Sequence, residues 1–242
     1  MKVSLFIPCT IDQFMPDTAV NTFRVLEKAG CQVELIPQQT CCGMPAYQAG
    51  HWDKAKTIGE KFLKDIPENQ PVIVPSAACV SMVKNGYNDL FTNTTLHNRC
   101  RSTQTYMYEL SDFLIHVLGV DYFGAELETR AMYLDSCSAL RGCGIKAEPR
   151  QLLKNVAGFE LIESAEAEGC CGAGGGLAWT NEQLASAMAE QKLAQAIDLG
   201  AECIVSTDAA CLLHLKSYID QQNLLLKNYH LSDVLTTGWP NI

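Results

Sequence analysis

Short apolar, β-rich runs alternate along this chain with longer stretches of helical periodicity. The apolar runs fall at residues 3–7, 33–36 and 72–74 in the first half, and at 131–134, 159–162 and 203–205 in the second. Between them, residues 18–29, 52–65, 150–156 and 181–199 carry a helical pattern, and the last is expected to open with a capping box formed by Thr180 and Gln183. Strands alternating with helices predict βαβ units and a parallel sheet in each half. The expected fold is α/β: two tandem, pseudo-equivalent βαβ-type repeats, each a small parallel sheet flanked by helices. Residues 84–118 read as a linker with a helix over 106–118, and Gly119 and Gly124 break the pattern after it. This places a first repeat with its helical linker at 1–120 and a second repeat at 121–242.

The cysteines repeat in the same rhythm. Cys-Cys-Gly occurs at Cys41-Cys42-Gly43 and again at Cys170-Cys171-Gly172. A lone cysteine precedes each, with 31 residues between Cys9 and Cys41 and 32 between Cys137 and Cys170. An Ala-Ala-Cys follows each, ending at Cys79 and Cys211, after 36 and 39 intervening residues. Four cysteines duplicated in order, each in a matching strand and helix context, mark an internal repeat. The lone cysteine follows the first strand of its half, Cys-Cys-Gly the second, and Ala-Ala-Cys the third. In a parallel sheet those are carboxyl ends on one edge, where sites in open α/β sheets gather.

Adjacent cysteines constrain the chemistry. Neighbouring Cα atoms lie about 3.8 Å apart, whereas a comfortable disulfide spans roughly 4.4–6.8 Å. A structural Cys41–Cys42 bridge is therefore disfavoured. A turn is needed to aim both thiols inward, and Gly43 and Gly172 relax the backbone there. Two vicinal thiolates suit a multi-iron cluster, since each can take a different iron. Zinc also binds four thiolates, although its usual Cys-x₂₋₄-Cys knuckles are absent.

The bulk numbers narrow the setting. The chain has 242 residues, 48% of them apolar, and a net charge of −9, an acidic balance that argues against nucleic acid as a partner. The apolar run after Met1 and Lys2 is too short for a secretory h-region, and no run reaches the ~18–20 residues of a spanning helix. The expected location is cytoplasmic. Twelve cysteines in a reducing compartment point to metal binding or redox chemistry rather than to a disulfide framework.

With these motifs the chain resembles the CCG-domain (cysteine-rich domain) iron–sulfur family. That family includes the cysteine-rich subunit of heterodisulfide reductase, the glycolate oxidase iron–sulfur subunit and a short, stand-alone lactate-utilization group. Stretches shared with the last are Met1-Lys2-Val3-Ser4-Leu5-Phe6, Cys41-Cys42-Gly43-Met44-Pro45-Ala46-Tyr47, Glu109-Leu110-Ser111-Asp112-Phe113, Val117-Leu118-Gly119-Val120 and Cys170-Cys171-Gly172-Ala173-Gly174-Gly175. The resemblance implies an iron–sulfur cluster, [4Fe–4S] in kind, on Cys9, Cys41, Cys42 and Cys79. It implies a second on Cys137, Cys170, Cys171 and Cys211, giving one or two clusters per chain, with zinc an alternative in one site. It further implies electron transfer in the oxidation of L-lactate to pyruvate, alongside other lactate utilization proteins. The chain departs from the family's Cys-x-x-Cys, carrying Ser76 and Asp208 at the first of those cysteines. That weakens a five-cysteine cluster and heterodisulfide chemistry. Asp208 reads as an exposed loop carboxylate, with an oxygen ligand as the alternative.

Other residues have ordinary readings. Cys31, Cys100, Cys143 and Cys203 lack partners in the repeat and read as small buried hydrophobes, with Cys143 the first candidate for more. The glycine run at 172–176 reads as close backbone approach to a metal centre, its amides donating to sulfur. His116 reads as a satisfied core or surface residue. His214, three residues past Cys211, could orient a cluster sulfur. The acidic stretch at 163–168 reads as a solvated loop. Two rival functions stay open: a thiol/disulfide oxidoreductase of heterodisulfide reductase type, and a zinc-stabilised interaction module.

Overall fold

In a computed structural model of the chain, which describes residues 1–164 and 168–240, the strands form two four-stranded sheets of the same topology. The first contains β1 (Lys2–Leu5), β2 (Gln32–Leu35), β3 (Val72–Val74) and β4 (Met107–Glu109) in the order β2-β1-β3-β4. The second contains β5 (Glu126–Tyr133), β6 (Ala157–Ile162), β7 (Cys203–Ser206) and β8 (Lys227–His230) in the order β6-β5-β7-β8. Every strand pairing is parallel. Helices flank both sheets, as the α/β repeat reading expects.

Strand alternation decides how the halves meet. Val3, Leu5 and Ile73 of the first sheet share one buried cluster with Ala131, Tyr133, Cys203 and Val205 of the second. The alternate positions face outward to each repeat's own helices: Phe6, Val72 and Val74 in one half, Met132, Leu134 and Ile204 in the other. Each fully buried Val, Leu, Ile or Phe contributes roughly 1.5–3 kcal/mol. The shared layer therefore outweighs any surface ion pair between the halves.

Part of the expected linker belongs to the first sheet. Residues 107–109 are strand rather than helix, pairing Val72 with Met107 and Val74 with Glu109. Met107 and Glu109 are buried while Tyr108 is not, the two-residue period of a strand. Its counterpart β8 was likewise outside the sequence expectation. Both strands open a second, unforeseen repeat: Tyr108-Glu109-Leu110-Ser111-Asp112 matches Tyr229-His230-Leu231-Ser232-Asp233. Glu109 and His230 cap the short helices that follow, accepting from Ser111 N and Ser232 N.

Those helices cross to the opposite repeat. Leu231–Val234 packs on Pro16–Lys28, where Thr18 Oγ1 and Asn21 Nδ2 each donate to Asp233 at 2.9 Å. Trp239 lies beneath Arg24 and Lys28, both 5.3 Å from its ring. In return, the turns after β4 reach Ala147–Lys154, and His116 pairs with Glu148 at 2.8 Å. The helix Glu182–Asp198 starts one residue later than expected. Its cap is Asn181, which accepts from Leu184 N, while Thr180 donates back to Gly176 O. Among the described residues, no helix is long and apolar enough to cross a membrane.

Candidate metal centre

In each sheet the first and third strands sit side by side while their connections leave in opposite directions. This opens a crevice at their carboxyl ends. Cys9 begins the helix Cys9–Phe14 after β1, and Cys79 lies in Ala77–Ser81 after β3. Cys41 and Cys42 lie between β2 and the helix Met44–Gln48. The second repeat copies the plan: Cys137 after β5, Cys170-Cys171 after β6, and Cys211 in Ala209–Gln222 after β7.

The thiols divide into inner and outer pairs. Cys42 and Cys79 are buried with sulfurs 3.3 Å apart, and Cys171 and Cys211 are buried at 2.9 Å. Cys9 is exposed, 3.8 Å from the half-buried Cys41. Cys137 and Cys170 are exposed. Gly43 N donates to Cys41 Sγ, and Gly172 N to Cys170 Sγ, each at 3.4 Å. Both glycines have positive φ, +85° and +90°, and both meet a neighbouring helix where a Cβ would stand. The neighbouring Cys137 and Cys171 thiols and the Gly172 amide hold Cys170 well below the ordinary thiol range. Cys41 is pushed upward, chiefly by its hydrogen bond with Cys42.

Support for the two sets differs. Tyr87 OH donates to Cys42 O at 2.9 Å and fixes the first loop from beneath. Beside the second set, Asp135 receives a forked pair of bonds from Arg150 at 2.8 and 2.7 Å. The Arg150 guanidinium also lies 4.8 Å over the Tyr133 ring and binds Glu163. Asp208 is buried, not exposed. It caps the helix of Cys211 by accepting from Ala210 N at 3.1 Å, while burial pushes its carboxyl up to about 6. The helix after β7 draws this carboxylate inward, and the cap hydrogen bond offsets part of its desolvation.

The cavity at the second set is shared between repeats. Cys137, Cys170, Cys171, Cys211, Asp135 and Asp208 line it, but so do Met44, Gln48 and Ala78 of the first repeat. Gln48 Oε1 accepts from Gly175 N at 3.1 Å, so that amide in the glycine run serves the inter-repeat contact rather than a sulfur. Among the described residues, no Lys, Arg or His lines this cavity. Among the described residues, no three His, Cys, Asp or Glu side chains close around a single metal-ion position. Four soft thiols per crevice and an amide donor to one sulfur in each set fit a thiolate-held cluster.

The CCG cysteine-rich domain matches residues 3–84 and again residues 131–216. The chain belongs to the CCG cysteine-rich domain family. Lactate utilization protein A 1 of Bacillus mycoides (strain KBAB4) is 33% identical over 97% of this chain and 96% of that protein. Lactate utilization protein A of Bacillus subtilis (strain 168) is 32% identical over 98% of this chain and 100% of that one. A crystal structure of a hypothetical protein from Helicobacter pylori shares the fold with a TM-score of 0.67 at 12% identity. That match spans 99% of this chain and 49% of the other.

In this CCG protein the remaining candidates lie apart from the sulfurs they neighbour in sequence. His214 Nε2 lies 3.1 Å from Ala185 O. His116 is exposed in its ion pair with Glu148. Cys31, Cys100 and Cys203 are buried, and burial raises the thiol pKa of each. Cys143 faces the other repeat, 3.6 Å from Ala77 O. Of the acidic stretch, residues 165–167 lie outside the described residues, while Glu163 and Glu168 pair with Arg150 and Lys146. Sequence reasoning missed Tyr87, Gln48, Asp135 and Arg150. Only Asp135-Ser136-Cys137, set against Ile7-Pro8-Cys9, carried a signal, a carboxylate entering an otherwise apolar strand end.

Proposed function

We propose that this chain is an iron–sulfur electron-transfer subunit of an L-lactate oxidation system, acting with other lactate utilization proteins. The observation that carries this reading is the paired construction of two four-thiol crevices, each with its inner sulfurs buried and at least one outer sulfur exposed. Cys9, Cys41, Cys42 and Cys79 would hold one cluster, and Cys137, Cys170, Cys171 and Cys211 the other. A bound [4Fe–4S] cluster supplies a one-electron store. The chain supplies the rest. Burial of Cys42, Cys79, Cys171 and Cys211 keeps water from the inner face. Exposure of Cys9, Cys137 and Cys170 leaves an outer edge within reach of a partner's surface. The Gly43 and Gly172 amides donate to thiolate sulfur and stabilise its charge.

The lining of the second cavity supports an electron-passing role over direct substrate binding. Lactate and pyruvate are carboxylates, and among the described residues the lining offers Asp135 and Asp208 but no cation to receive one. The names of the relatives place them in lactate utilization, and we extend that role to this chain. Iron, acid-labile sulfide and zinc measured on anaerobically purified protein test the reading. Roughly four to eight irons per chain with matching sulfide are expected. Stoichiometric zinc without sulfide would sink the proposal and leave a structural module.

A further inference from the structure

We propose that in chains carrying no cluster the inner thiol pairs, Cys171–Cys211 and Cys42–Cys79, close as disulfides, and that this couple gates cluster loading. The proposal rests on the reading of the eight cysteines as cluster ligands. Its observation is the shared division of the two sets. In each, the second cysteine of Cys-Cys-Gly faces the Ala-Ala-Cys cysteine inside the protein, at 2.9 Å in one repeat and 3.3 Å in the other. A disulfide bond is about 2.05 Å long, so each pair must close by only about 1 Å. The rival vicinal bridges, Cys41–Cys42 and Cys170–Cys171, join residues whose Cα atoms lie nearer than a disulfide tolerates without strain. The outer pair Cys9–Cys41 is wider, at 3.8 Å, and open to solvent.

Backbone around the inner pairs is anchored on both sides. Cys211 sits in the first turn of a helix capped by Asp208, and Tyr87 holds the carbonyl of Cys42. The oxidant is a low-molecular-weight disulfide. One thiolate of the pair attacks it, forming a mixed disulfide and releasing one small thiol. The facing cysteine then displaces the second small thiol and forms the protein disulfide. The protein loses two electrons and two protons, and the reagent gains them as two thiols. Each closed pair removes two of four sulfurs from its crevice, so iron can enter only after reduction.

The test uses the full chain, stripped of metal by a chelator under reductant, then freed of both and treated anaerobically with oxidised glutathione. Alkylation, digestion and mass spectrometry map the bridges. Parallel samples receive ferrous iron and sulfide before and after dithiothreitol. Cys171–Cys211 should form first and Cys42–Cys79 second, with about a tenfold fall in iron uptake that dithiothreitol reverses. The variant Cys211→Ser should lose the first bridge and keep the second. Vicinal bridges, outer bridges or glutathione adducts alone would overturn the proposal. Equal iron uptake by oxidised and reduced chains overturns the gate while leaving the cluster reading intact. A reduced chain that takes up no iron overturns the cluster reading, and the gate with it, even where both disulfides map.

Discussion

The two repeats reach the same thiol arrangement with different supports. In the first, the strand end before the lone cysteine is Ile7-Pro8, held by Gln39 Oε1 accepting from Ile7 N at 3.0 Å. In the second it is Asp135-Ser136, held by the buried fork from Arg150. Ser76 makes no side-chain cap, whereas its counterpart Asp208 does. Glu109 and His230 occupy one position of the smaller repeat with opposite acid–base character. The comparison teaches that thiols and the glycine after them are the shared requirement, while the scaffold behind them is free to be apolar or ionic.

The largest break in this comparison should come at Arg150. Its side chain is 11% exposed and that of Asp135 is 1% exposed, so Arg150→Met strands a buried carboxylate and should cost about 3–5 kcal/mol in urea unfolding. Ile7→Val, at the equivalent strand end, should cost no more than about 1.5 kcal/mol. Equal losses at both positions would mean that the ionic scaffold is no more critical than the apolar one.

The pH response of stability should separate Glu109 from His230. Burial pushes the Glu109 carboxyl from 4.5 up to about 7, and its Oε1 has no hydrogen-bond partner among the described residues. Between those values the folded chain keeps a proton that the unfolded chain has lost. Stability therefore falls as pH rises from 4.5 to about 7, by roughly 3 kcal/mol. His230 is the reverse case. Burial lowers its pKa below 6.5, so below that pH the unfolded chain takes up a proton first and stability falls as pH falls. Urea melts from pH 5 to 8 should show Glu109→Gln removing the loss toward neutral pH and His230→Asn removing the loss toward acid. Flattening of the same limb by both variants would contradict the assignment.

Smaller effects test the glycines and caps. A Cβ at Gly172 would stand 2.9 Å from Ala185 O, and one at Gly43 would stand 3.2 Å from Ala55 O. Each Gly→Ala should cost about 1–3 kcal/mol for the left-handed backbone, with Gly172→Ala the worse in thermal melts. Asp208→Ala should cost about 1 kcal/mol as a lost cap, and Ser76→Ala should stay within about 0.5 kcal/mol. A larger loss at Ser76 than at Asp208 would reverse the comparison of the two crevices.

What the chain announces without its structure is local. Short apolar runs marked six strands, β1–β3 and β5–β7, and the cysteine spacing marked the duplicated crevice, because apolar runs and motif order are carried by neighbouring residues. The Tyr-x-Leu-Ser-Asp duplication at Tyr108 and Tyr229 is equally local. Packing decided the rest. Met107–Glu109 is too short to declare itself a strand until Val72–Val74 pairs with it. Asp208 becomes a buried cap only in the folded crevice, where it shares one cavity with Asp135, Ser136 and Gln48. Gln48 reaches Gly175 only because the two sheets share a core. Such contacts join residues far apart in sequence. Their free energy depends on which faces meet, and that is settled by the folded whole.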